Sequence, residues 1–127
     1  MNKLNKYKKS QTSQKQEIIT KPYEIIHELL SCLNESLSDT VKNIDKGNSS
    51  EAKDKAKKAQ NIAFALQSCL DFKEGGEIAE NLHNLYSHIK FATKNYIETE
   101  KSDLLSSAYF VSSEILEGWK GMKSSVA

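Results

Sequence analysis

The sequence predicts an all-α protein, an antiparallel four-helix bundle with a flexible N-terminal cap segment. Three observations predict it. Apolar residues recur at spacings of three and four along four separate stretches, the mark of one buried stripe on a helix. No stretch sustains the every-other-residue alternation of a half-buried strand. Short polar breaks separate the stretches, and short connections make neighbouring helices antiparallel. The 127 residues suffice for one domain. A chain of this length buries roughly two-thirds of its unfolded surface, enough for a single core.

Each element has its own signals. Residues 1–19 carry five Lys against one Glu, and their sizeable apolar groups before Ile18 are Met1, Leu4 and Tyr7. Such a segment cannot bury enough to order itself, so it reads as a flexible tail, with residues 20–127 forming the bundle. The first helix opens at Thr20, Pro22 and Glu24, which supply a cap, a first-turn proline and a charge that complements the dipole. Its stripe is Ile26, Leu29, Leu30, Leu33, Leu37, Val41 and Ile44, and Gly47 stops it as a left-handed cap. The second helix starts near Ser50 and presents Ala52, Ala56, Ala59, Ala63, Leu66 and Leu70, widened by Ile62 and Cys69. Alanine on that face permits close approach of a neighbour, or leaves shallow surface for a partner. Ile78, Leu82, Leu85, Tyr86, Ile89 and Tyr96 mark the third helix. The fourth, with Ser102 as its cap, runs through Leu104, Leu105, Ala108, Val111, Ile115, Trp119 and Met122.

The pair Gly75-Gly76 allows two readings. A phosphate cradle needs free N–H groups at a helix start, and usually a Lys followed by Ser or Thr. Here Glu77 and Glu80 follow the glycines and repel phosphate, while Lys73 lies on the wrong side. The sequence therefore predicts a structural corner of Gly75, Gly76 and Glu77: one glycine ends helix two at positive φ, the other lets the chain reverse, and the acidic residues start helix three.

Composition excludes several classes. Net charge is +1 and all 18 basic residues are Lys, so neither a global field nor the bidentate Arg fork favours nucleic acid. No run approaches 18 apolar residues, so no membrane insertion is expected, and the basic N-terminus lacks the apolar core of a secretory signal. The expected location is the cytosol. Cys32 and Cys69 are expected to stay reduced, because an antiparallel hairpin offsets them by ~9 Å along the axis. His83 and His88 are five apart and do not converge as metal ligands at i, i+4 do, and His27 has no second ligand nearby in sequence. A histidine phosphotransfer domain, also a four-helix bundle, needs a His followed by Lys and Gly, which neither His27 nor His88 has. No nucleophile elbow is present. No catalytic residue, metal or cofactor is expected, which leaves a binding protein.

The stretch Lys58 to Ile89 resembles the FliS family of flagellar export chaperones. The matching positions are Lys58-Ala59-Gln60, Leu70-Asp71, Gly75-Gly76-Glu77, Ala79, Asn81-Leu82 and Leu85-Tyr86. Weaker similarity covers nearly the whole chain: Tyr7 looks like the family's N-terminal cap, Thr20 and Pro22 its first helix start, and Trp119 an aromatic of its last helix. The chain departs from the family where Leu29 is followed by Leu30, Ser31 and Cys32, in place of a frequent Leu-Tyr-Asp-Gly. Contacts through that Tyr and Asp do not carry over.

The resemblance implies a helical bundle that binds the disordered C-terminal segment of flagellin in the cytoplasm. It implies further that this binding blocks premature polymerisation and delivers flagellin to the type III export gate, whose component is a second expected partner. The implied groove draws on Ala59, Ile62, Ala63, Leu66 and Leu70 of helix two. From helix three it draws on Ile78, Asn81, Leu82, Leu85, Tyr86 and Ile89, with Tyr7 as an intramolecular plug. A helical adaptor serving another secreted protein is the alternative reading.

Overall fold

The computed structural model describes residues 22–126. The readings of Tyr7, of the tail and of the Thr20 cap lie outside the described residues. Four helices follow in order: α1 (Pro22–Asp45), α2 (Ser49–Ser68), α3 (Phe72–Thr99) and α4 (Leu105–Val126). α1 packs on α2 and α4, and α3 packs on the same two, so the helices close a ring in chain order. Cross-links at both ends show α2 and α3 running antiparallel. Near one end Lys53 pairs with Glu100, and near the other Gln67 donates to Ser87 Oγ. The predicted four-helix bundle is the observed fold.

The core follows the apolar stripes. Leu30, Leu33 and Leu37 of α1 meet Ala52, Ala56, Ala59 and Ala63 of α2, all at 0% exposure. Tyr86, Ile89, Ala92 and Tyr96 of α3 and Leu105 and Ala108 of α4 complete it. The alanine stripe lets α2 approach its neighbours closely, so it is buried by the bundle's own helices. Polar groups inside this core bond locally. Thr40 Oγ1 donates to the Ser36 carbonyl at 2.8 Å and Thr93 Oγ1 to the Ile89 carbonyl at 2.9 Å. Asn34 Nδ2 donates to Ser112 Oγ and Ser113 Oγ, both at 2.8 Å, tying α1 to α4.

The turns show why each helix stops. Gly47 closes α1 at φ +74°, as the sequence predicts, and its N–H reaches back to the Ile44 carbonyl. Glu100 closes α3 in the left-handed region at φ +62°. Its N–H bonds the Tyr96 carbonyl at 2.8 Å. Ser102 does not cap α4 through its side chain; its carbonyl accepts from the Leu105 N–H in a turn before the helix.

The Gly-Gly corner needs correction. α2 ends at Ser68, and the chain reverses through Cys69, Leu70 and Asp71, ahead of the glycines. The reason is Asp71. Its carboxylate accepts from the N–H groups of Lys73 and Glu74, both at 3.0 Å, and so starts α3 before the glycines are reached. Gly75 lies inside that first turn, where a Cβ would sit 2.9 Å from Ala79 Cβ. Gly76 then breaks the helix at φ +52°, ψ −125°, and Glu77 follows the break, exposed. The bend swings the first turn aside, so that Phe72 meets His83 edge-on at 5.7 Å. In a straight helix those residues would be about 16 Å apart along the axis. Gly76→Ala is expected to cost roughly 1–3 kcal/mol of backbone strain. Nothing lies within 4 Å of the added methyl, so the loss seen in urea unfolding should come from conformation and not from a clash.

Candidate functional site

The bend leaves space at one end of the bundle. There the start of α1, the end of α2, the start of α3 and the end of α4 surround a cavity of about 570 Å³. Its walls are Ile26 of α1, Leu66 of α2, Leu70 of the turn, Ile78 and Leu82 of α3, and Ile115 and Trp119 of α4. Gly75, Ala79 and Gly118 line it without bulk, so the ring of helices is not filled at this level. Asp71 and Glu74 stand on its acidic rim. Size and lining suit an apolar ligand held by a few polar groups.

Trp119 is held firmly in this wall. Its Nε1 donates to the Tyr23 carbonyl at 3.0 Å, while Tyr23 Oη donates to the Trp119 carbonyl at 2.7 Å. The two rings stack at 5.0 Å, and His27 also stacks on Tyr23 at 6.2 Å. This pair of hydrogen bonds and the stack fasten the start of α1 to the end of α4 beside the cavity.

Tyr86 forms part of the wall at 3% exposure. Burial, with a smaller contribution from Cys69, pushes its hydroxyl up to about 12. The group is therefore a hydrogen-bond donor at any physiological pH.

The structure sorts the residues expected to form a groove. Leu66, Leu70, Ile78, Leu82 and Tyr86 converge on the cavity. Ala59, Ala63 and Ile89 do not, and are corrected to core: each is fully buried between helices. Ile62 is half-buried and packs on the same core cluster. Asn81 and Leu85 are exposed and lie off the cavity. Tyr7 lies outside the described residues. Sequence reasoning missed the cavity's other half. Ile115 and Met122 read only as the stripe of the last helix, Trp119 as that stripe and a family aromatic, and Ile26 as the stripe of the first. One available signal was that the Trp119 stripe continues between two glycines, Gly118 and Gly121, that cannot fill volume.

Other chemistry is not assembled among the described residues. No group of three or more His, Cys, Asp or Glu is placed to hold a metal ion. His83 faces Phe72 and His88 faces Ser107, so the two do not converge. Cys32 and Cys69 are not bonded to each other. No described helix is long and apolar enough to cross a membrane.

Comparison with known proteins gives this bundle relatives. Over 98 residues the chain is 27% identical to the flagellar secretion chaperone FliS of Vibrio cholerae, covering 77% of this chain and 72% of that protein. No solved structure matches the chain. The sequence profile of flagellar protein FliS matches residues 2–126, so the Gly-Gly-Glu stretch and the helices around it sit in a match of nearly full length. The chain belongs to the FliS family.

Proposed function

We propose that this protein is a cytosolic export chaperone and not an enzyme. It binds the disordered C-terminal segment of flagellin, prevents premature polymerisation and delivers flagellin to the flagellar type III export apparatus, with an export-gate component as second partner. The observation that carries this reading is the apolar cavity walled by Leu66, Leu70, Ile78, Leu82 and Trp119 in a member of the FliS family. A disordered segment loses conformational entropy when it binds, so it needs apolar anchors to offset that cost. The cavity seats the anchors of one short stretch, and the remainder of the segment wraps the bundle.

The tail has a place in the same scheme. The described residues begin at Pro22, and Tyr23 stacks on Trp119 in the cavity wall. The tail's five Lys complement the rim acids Asp71 and Glu74. Tyr7 acts as a plug that cargo displaces.

Calorimetric titration with a synthetic peptide of the last forty or so residues of the same organism's flagellin tests the reading (a length on the order of what a wrapping segment needs). Saturable one-to-one binding with a negative heat-capacity change is expected, because apolar surface is buried as the peptide orders. Tyr7→Ala in the full chain should bind several-fold more tightly, since it removes a competitor for the cavity. A folded protein that shows no binding would transfer the assignment to an adaptor for another secreted protein.

A further inference from the structure

Tyr86 is the one cavity residue whose burial and bonding disagree. Its ring is packed into the core and its exposure is 3%, yet its hydroxyl has no hydrogen-bond partner among the described residues. A buried hydroxyl without a partner is uncommon and costs the free protein stability. Three other polar groups at this end have partners. Trp119 Nε1 is used by the Tyr23 carbonyl, and Asp71 by two main-chain N–H groups. Gln67 is saturated by His83, Ser87 and Lys90. Tyr86 lines a cavity large enough for peptide groups, whose remaining lining is apolar apart from Cys69, Asp71 and Glu74.

We infer that Tyr86 selects the cavity's occupant by donating a hydrogen bond to an acceptor oxygen that the bound peptide presents there. The acceptor is a main-chain carbonyl or a side-chain amide oxygen. A carboxylate is disfavoured, because Asp71 and Glu74 stand on the same rim. The hydroxyl stays protonated, since burial holds its ionisation well above neutral pH. Its role is that of a deferred bond: no described residue accepts from the hydroxyl in the free protein, and the complex supplies the acceptor. Apolar walls hold any greasy segment, whereas one directed donor fixes which register of that segment fits. This inference rests on the proposed peptide-binding function.

Tyr86→Phe separates the hydroxyl from the ring. The expected result has two opposite signs. The melting temperature of the free full-length variant is unchanged or raised, because the change breaks no hydrogen bond to a described residue and opens no cavity. Its affinity for the flagellin C-terminal peptide falls roughly 3- to 10-fold, the range of one net hydrogen bond. A lowered melting temperature would show that the hydroxyl already has a partner in the free protein and would overturn the inference. Unchanged affinity beside tight wild-type binding would also overturn it, leaving the chaperone reading intact. If the wild type itself does not bind the peptide, the chaperone reading fails and takes this inference with it.

Discussion

Ile78→Asp is expected to weaken binding of the flagellin C-terminal peptide by tenfold or more, while the melting temperature stays within about 2 °C of wild type. Ile78 lines the cavity yet is 70% exposed in the free protein, so it contributes little to folding. Burying an isoleucine under a ligand is worth about 1.5–3 kcal/mol, which is roughly 10- to 100-fold in affinity. Aspartate forfeits that and adds an unpaired charge to an apolar contact beside Asp71 and Glu74. The folded state tolerates the change, because the position follows the Gly76 break near the start of a helical segment, where a negative charge suits the dipole. Phe91→Asp is the control. Phe91 is 59% exposed and off the cavity, and its replacement should leave affinity unchanged. Calorimetry and thermal melting on both variants check this. Equal loss of binding by the two would place the contact surface elsewhere on the bundle. A large fall in melting temperature for Ile78→Asp would make that residue structural.

The same contrast explains how much was legible beforehand. Helix number, order and buried faces follow from periodicity, because stripes such as Leu30-Leu33-Leu37 and Ala52-Ala56-Ala59-Ala63 have one way to be covered in an antiparallel bundle. Helix boundaries were less legible around Asp71. Its two capping bonds compete with the helix-breaking tendency of the glycines, and the cap comes first along the chain. The cavity was half legible. Leu66, Leu70, Leu82 and Tyr86 share a stripe with Ala59, Ala63 and Ile89, and periodicity cannot tell a wall from a core position. What separates them is level along the bundle axis. Near the middle four helices meet and fill the interior. At the Gly76 end, the bend and the small residues Gly75, Ala79 and Gly118 leave it open. That distinction comes from packing between distant segments, such as Tyr23 against Trp119, which no local pattern encodes.

Ala59→Leu is therefore expected to lower the melting temperature by about 5–15 °C, following an overpacking cost of about 1–3 kcal/mol. Ala59 is at 0% exposure, within the core cluster of Leu30, Leu33 and Leu37. Three added carbons must push α2 from its neighbours or force strained rotamers, because Ala59 is fully buried against them in a close-packed interior. Ala79→Leu is the same exchange at a position of 3% exposure on the cavity wall. There the longer side chain extends into open volume, so stability should change little, while peptide binding should fall because the seat is filled. Thermal melting and peptide titration of the two variants read the difference. If Ala79→Leu proved as destabilising as Ala59→Leu, the cavity end would be packed as tightly as the middle of the bundle. The space between Gly76 and Trp119 would then not be a seat for cargo. If Ala59→Leu melted like wild type, the α2 alanine stripe would have room beside it, and the shallow groove along that helix would return as the binding surface.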